Sequence, residues 1–236
     1  MVPKIPAKYR PRGIDFLYED DDVIVVSKQP GILTTHTRRM EPFTVENAVT
    51  NYLRKGNSRS SRCAYLVHRL DRETSGLLLF AKTEEAQYRI KENWQQNTKY
   101  YLALVYGRPR REHEIIESYL AEDEDLYVYS VRNPEEGKLS RTEYQVLATN
   151  RDVSVVQINL LTGRKNQIRV HFAESGFPVV GDEKYGADRV EEKRLYLHAQ
   201  DLAFDHPFTG RRLSFHSPTP PSFYARFGIR PEHADW

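Results

Sequence analysis

The amino-acid sequence predicts an α+β fold, with a mainly antiparallel mixed sheet and flanking helices. Three observations carry this prediction. Short runs rich in β-branched and aromatic residues, bounded by turn residues, recur along the 236 residues. Helical periodicity is confined to a few stretches. Strands and helices do not alternate in the regular way that a parallel sheet requires.

The elements follow in order. Pro3, Pro6 and Pro11, set among Lys4, Lys8, Arg10 and Arg12, mark a flexible basic arm over residues 1–14. Residues 14–18 and 23–26 read as strands around the acidic turn of Glu19, Asp20, Asp21 and Asp22, and Lys28-Gln29-Pro30-Gly31 ends the second. Thr44 is an N-cap for a helix over 45–54, and the serine- and arginine-rich stretch 56–62 is a loop. Thr83 caps a helix reaching Trp94, with Ala86, Ile90 and Trp94 on one stripe. Residues 99–107 form a strand, and 114–119, 140–148 and 153–160 form three more. The acidic segment between 119 and 140, holding Asn133-Pro134-Glu135-Glu136-Gly137, reads as an excursion with turns. Ile168 and Phe172 mark a helix closed by Gly176. No repeat or low-complexity linker divides the chain, so residues 15–236 read as a single domain.

Bulk properties narrow the class. With 39% hydrophobic and 29% charged residues and no apolar run near the ~20 residues of a membrane span, the chain reads as soluble. One cysteine, Cys63, permits no internal disulfide and fits a reducing cytoplasm; it reads as a buried or neutral thiol. No Cys/His cluster has metal-ligand spacing, and no phosphate loop or dinucleotide fingerprint is present. The net charge is only +2, but it is segregated. Basic groups gather at Arg38 and Arg39, at Arg54, Lys55, Arg59 and Arg62, and at Arg108, Arg110 and Arg111. This is the pattern of a phosphate-binding face opposite an acidic one.

Two stretches carry chemistry. In Val67-His68-Arg69-Leu70-Asp71-Arg72-Glu73-Thr74-Ser75-Gly76, a dense knot of charged groups sits between apolar runs. Burying it unpaired would cost several kcal/mol, so stability alone does not account for Asp71 between two arginines. In Thr162-Gly163-Arg164-Lys165-Asn166-Gln167-Ile168-Arg169-Val170-His171, a turn opens a helix and offers backbone donors with Arg164 as an anion site.

Together, His-Arg-Leu-Asp-x-x-Thr-Ser-Gly-Leu-Leu-Leu-x-Ala-Lys and Thr-Gly-Arg-x-x-Gln-Ile-Arg-Val-His closely resemble the RluA-type pseudouridine synthases, as does the following Gly-x-Pro-Val-Val-Gly-Asp-x-x-Tyr-Gly (176–186). The resemblance spans roughly residues 15–224. It implies the pseudouridine-synthase catalytic fold with a central active-site cleft, in a member without the N-terminal S4-type domain. It also implies Asp71 as catalytic residue, Tyr101 and Arg169 as active-site partners, and Arg69 as the residue that flips the nucleotide or fills its place. Arg38, Arg39, Arg54, Lys55, Arg59, Arg62, Arg164 and Lys165 are the candidate RNA contacts. One departure stands out: Lys165-Asn166-Gln167 replaces the usual Thr/Ser-His-Gln, so no imidazole is available there.

The implied reaction is an isomerisation of uridine that needs no redox cofactor, metal or group donor. A carboxylate can start it by attacking the ribose C1′, by adding to the uracil ring, or by abstracting a 2′ proton. Arg169, always charged, is the candidate for keeping Asp71 ionised as a bidentate partner. Tyr101 is expected to stack on the base and Tyr100 to pack in the core, since alternate strand residues face opposite ways. The expected partner is a stem-loop of ribosomal or transfer RNA, bound by a monomer with no nucleotide cofactor. A non-catalytic RNA-binding protein on the same scaffold and a hydrolytic nucleosidase are the competing readings.

Overall fold

The computed structural model describes residues 11–37, 41, 43–186, 192, 194–234 and 236. Arg38, Arg39 and residues 1–10 of the basic arm lie outside them. The chain forms two compact units, Met1–Thr98 with Asp201–Ser217 and Lys99–Gln200 with Pro218–Trp236.

The first unit begins with a hairpin of β1 (Ile14–Glu19) and β2 (Val23–Lys28). Its acidic turn is closed by Asp20, whose Oδ1 accepts the Asp22 and Val23 amides at 2.9 and 2.8 Å. β2 pairs antiparallel with β4 (Ser75–Ala81), and the two-residue β3 (Tyr65–Leu66) also pairs with β4. All seven residues of β4 are buried, which is why this stretch reads as an unbroken apolar run. β10 (Leu197–Asp205) and β11 (Arg212–His216) pair from Asp201 to His216 and contribute Leu202, Phe204 and Leu213 to the core around Val23, Val25, Leu77 and Leu79.

Both expected caps are in place. Thr44 Oγ1 accepts the Asn47 amide at 3.2 Å to open α1 (Val45–Arg54), and Thr83 Oγ1 accepts the Ala86 amide at 3.1 Å to open α2 (Glu84–Glu92). Ala86 and Ile90 join the core cluster as expected. Trp94 packs against the same cluster, but from outside the helix: α2 stops at Glu92, and Trp94 starts a separate 3-10 turn.

The second unit orders its strands β5 (Thr98–Tyr106), β9 (Val153–Leu160), β8 (Lys138–Thr149), β6 (His113–Glu122) and β7 (Val128–Val131), each pair antiparallel. β7 lies in the segment expected to be an excursion with turns. Four residues are too few to show alternation, and Val128 earns strand geometry by packing with Leu120 and Val170. α3 (Gln167–Glu174) and α4 (Pro221–Phe227) complete the unit, with Phe223 and Phe227 against Leu102, Leu104, Val153 and Val155. The class is thus α+β with mostly antiparallel pairing and four α-helices among the described residues. None of them is long and apolar enough to cross a membrane.

Candidate active site

In the first unit, the loop between β3 and β4 holds Arg69 and Asp71 on either side of Leu70, which is buried. Leu70 is gripped at both ends by the hydroxyl of buried Thr34, which donates to its carbonyl at 2.7 Å and accepts its amide at 3.1 Å. Thr34 is itself fixed beside α1, whose Glu46 amide donates to the Thr34 carbonyl at 3.0 Å. The Asp71 carbonyl accepts the Thr74 amide at 3.2 Å, curling the loop into a turn. Arg69 is exposed and Asp71 half-buried.

Lys28, at the end of β2, lies under this turn and is 1% exposed. Its ammonium donates to the Arg72 carbonyl at 3.0 Å, to the Thr74 carbonyl, and more distantly to Gln29. Burial lowers its pKa from 10.5 to about 7, while the negative charges of Glu73 and Asp71 oppose that shift. The Gly31 amide also donates to the Arg72 carbonyl, at 2.9 Å. Sequence reasoning read Lys28 only as part of a turn. Its signal was a lysine ending an otherwise apolar strand, where burial demands carbonyl partners.

His68 has a supporting place. Its Nε2 accepts the Leu79 amide at 3.2 Å, and its ring stacks on Trp94 with centroids 4.9 Å apart. The accepting nitrogen carries a lone pair, so the ring proton of the neutral form sits on Nδ1.

In the second unit, Arg169 projects from α3. Its Nε and Nη2 donate to Asp182 Oδ2 and Oδ1, both at 2.7 Å, and the Asp182 side chain has no exposed surface. Asp182 Oδ1 also accepts the Lys184 and Tyr185 amides at 3.0 Å each, so the carboxylate is held from two sides. The guanidinium lies over the Tyr185 ring at 5.2 Å. The Gly-Asp-x-x-Tyr-Gly stretch thus builds a seat for Arg169, a role the sequence alone did not assign to Asp182.

Tyr101, on β5, is buried and registers with Ile158, whereas Tyr100 is half-exposed. This reverses the expectation that Tyr100 would be the core residue: both faces of β5 are covered from Leu102 to Val105, and Tyr100 lies before its face, which carries Leu102 and Leu104, becomes fully buried.

The candidate RNA contacts divide. Arg54 closes α1 and donates to the Arg62 carbonyl at 2.9 Å, and Lys55 is its left-handed C-cap, with φ 50°. Lys55, Arg59 and Arg62 are exposed in the loop that follows. Arg164 is exposed, while Lys165 is engaged by the Glu122 carboxylate and the Leu126 carbonyl. Cys63 is half-buried.

Among the described residues, Asp20, Asp22 and His206 bring three metal-type ligands together. Their hydrogen bonds fit another role. His206 Nδ1 accepts the Phe208 and Thr209 amides at 3.3 Å, which leaves the proton on Nε2, directed at Asp20 and Asp22 at 3.2 and 3.4 Å. An imidazole donating from that nitrogen tethers carboxylates and offers no lone pair to a metal.

A family profile described as RNA pseudouridylate synthase matches residues 22–174. The uncharacterized RNA pseudouridine synthase YjbO of Bacillus subtilis is 34% identical over 213 residues, which cover 89% of this chain and 74% of that protein. Ribosomal large subunit pseudouridine synthase C of Vibrio cholerae is 33% identical over 211 residues, covering 86% of this chain and 64% of its own length. Among solved structures, human RNA pseudouridylate synthase domain containing 1 superimposes with a TM-score of 0.72 at 26% identity, over 93% of this chain and 89% of that one.

Proposed function

The chain belongs to the RNA pseudouridine synthase family, and we propose that it isomerises uridines of structured RNA to pseudouridine with Asp71 as the catalytic carboxylate. The observation that supports this reading best is the fixing of the Asp71 turn, by Thr34 at Leu70 and by Lys28 at the Arg72 and Thr74 carbonyls. A surface turn of no function does not require a buried lysine beneath it.

In the proposed reaction the bond from the ribose C1′ to uracil N1 breaks, the base turns, and a bond from C1′ to C5 forms. The proton leaving C5 is balanced by one gained at N1, so no electrons are exchanged with a cofactor. Asp71 starts the reaction at C1′, at the uracil ring or at the 2′ proton. Arg169 is its cationic partner, and Tyr101 stacks on the base. A base within a stem cannot reach a carboxylate, so it must be flipped out, with Arg69 compensating the abandoned stack.

A ribosomal RNA stem-loop is the substrate we favour, because the Vibrio cholerae relative is named for the large ribosomal subunit. Transfer RNA is the alternative. The protein acts as a cytoplasmic monomer without a metal or nucleotide cofactor in this reading, and the basic residues Arg54, Lys55, Arg59, Arg62 and Arg164 contact phosphates. Retention of Asp71 disfavours a non-catalytic RNA-binding role, and a hydrolase would release free uracil.

The test is site mapping of pseudouridine in ribosomal and transfer RNA incubated with purified protein. Wild type is expected to form pseudouridine at defined sites with no free uracil. Asp71→Asn is expected to abolish product while leaving RNA affinity nearly unchanged, since the amide keeps the shape but is neither nucleophile nor base. Product formation by Asp71→Asn at the wild-type rate would remove Asp71 from the mechanism.

A further inference from the structure

Asn166 occupies the place where the resembling family carries histidine, and it opens α3 in a left-handed conformation with φ 54° and ψ 15°. Asparagine tolerates this region better than most residues. An asparagine ahead of a helix ordinarily caps it by accepting an amide of the first turn. Asn166 makes no such bond. The residue is 9% exposed, and its side chain is used elsewhere.

The Asn166 Oδ1 accepts Arg169 Nη1 at 3.3 Å, and its Nδ2 donates to the Tyr185 hydroxyl at 3.0 Å. The Tyr185 amide donates to Asp182 Oδ1 at 3.0 Å, and that oxygen accepts Arg169 Nη2 at 2.7 Å. These four residues therefore close a hydrogen-bonded circuit around one guanidinium. Asp182 fixes the Nε and Nη2 edge, and Asn166 reaches Nη1 at the other end. The Tyr185 hydroxyl is itself placed by the Val128 amide at 3.2 Å, at the start of β7.

We propose that Asn166 is a positioning residue, whose carboxamide orients the Arg169 guanidinium by linking Nη1 to the Tyr185 hydroxyl. The residue type suits the task. A carboxamide offers an acceptor and a donor at once, and the two ends cannot be exchanged here. A flipped amide would face its own NH2 toward an arginine donor. The circuit also explains why the cap position gives no cap: the side chain that would serve the helix serves the arginine.

The turnover arm of the test rests on the activity proposed above, and the second arm does not. Asn166→Gly keeps the left-handed backbone, which glycine adopts freely, and removes only the carboxamide. Solvent exchange of the Arg169 Nη1 protons, which Asn166 Oδ1 accepts, followed by NMR on the free protein, is expected to be about tenfold faster in this variant. Turnover of bound RNA is expected to fall about tenfold with KM within twofold, because a misaimed group loses rate rather than affinity. In the Arg169→Lys background the same change is expected to cost less than twofold, since the partner it orients is already altered. Unchanged Nη1 exchange in Asn166→Gly overturns the inference, as does a full tenfold loss in the Arg169→Lys background. A wild type that forms no pseudouridine refutes the proposed activity, while the exchange arm still judges the circuit.

Discussion

Lys28 shows at the scale of a single side chain how the Asp71 turn is held, and its substitution is expected to separate shape from charge. Lys28→Met fills similar volume but leaves the buried Thr74 carbonyl without its ammonium donor, an unsatisfied acceptor costing about 1–3 kcal/mol. Turnover is expected to fall at least about tenfold beyond any loss in the urea midpoint, because the loop that presents Asp71 loses its floor. A variant with normal single-turnover rates would reduce Lys28 to a structural part. Asp71, Arg69 and Arg169 were singled out in the sequence because they sit inside long strings of mixed chemistry that resemble a family motif, and their proposed roles rest on that resemblance. Lys28, Thr34 and Asp182 were not assigned roles. Each works through a partner distant in the chain: Thr34 meets Leu70, Lys28 meets Thr74, and Asp182 meets Arg169. No local pattern encodes such pairings.

At the scale of the element, α3 is pinned to its sheet by a chain of polar contacts. Gln167 donates to Thr142 Oγ1 at 2.9 Å, Thr142 meets His171 Nδ1 at 2.9 Å, and His171 Nε2 meets Ser118 Oγ at 3.1 Å. Ser130 bonds Ser118 at 2.9 Å and also engages the Glu174 carboxylate. Burial lowers the His171 pKa from 6.5 to about 4, against the opposing pull of Glu174. The unfolded chain therefore binds this proton more readily, so the stabilisation is fully present above pH 6.5 and is lost as pH falls toward 4. The shift corresponds to on the order of 3 kcal/mol at most. Urea unfolding between pH 7.5 and 4.5 is expected to show a declining midpoint in that window, with a shallower decline in His171→Gln. Equal slopes would assign the acid sensitivity to other groups. The starts of α1 and α2 were legible, since Thr44 and Thr83 announce them by residue type, whereas α4, which has no side-chain cap, was not. The end of α2 was not: Trp94 fits the helical stripe and packs on the same cluster, yet it does so from a separate 3-10 turn, with its ring stacked on His68. β7 stayed hidden because its pairing with β6 supplies what its short, acid-flanked sequence lacks.

For the molecule as a whole, the net charge of +2 says little about RNA, so the distribution must be tested directly. Neutralising Arg59 and Arg62, exposed in the loop after α1, is expected to weaken binding to any RNA. The salt dependence should flatten by roughly one unit of slope per lost phosphate contact. The maximal rate on bound RNA should stay normal. Arg69→Ala is expected to differ: binding holds, turnover falls, and the penalty shrinks on an RNA whose target base is already unpaired. Unaltered salt slopes would return the loop arginines to ordinary solvated surface. The fold class was legible from composition and punctuation, but the division into two units was not. Each unit takes a late segment of chain back into its core, as Leu202, Phe204 and Leu213 join Val23 and Leu77.

That return has a consequence for biogenesis. A ribosome that has made the first 98 residues has not yet made the side chains that close their core, which arrive only with residues 201–217. At bacterial-like speeds this leaves β2 and β4 waiting on the order of ten seconds with their apolar faces incompletely covered. The nascent chain is therefore exposed to chaperones and to aggregation through about half of its translation. A chain stopped after Gln200 is expected to emerge insoluble or protease-sensitive over residues 14–98, and adding a peptide spanning residues 201–217 in trans should restore protection. Resistance of the stopped chain to pulse proteolysis would mean that β10 and β11 decorate a core already complete.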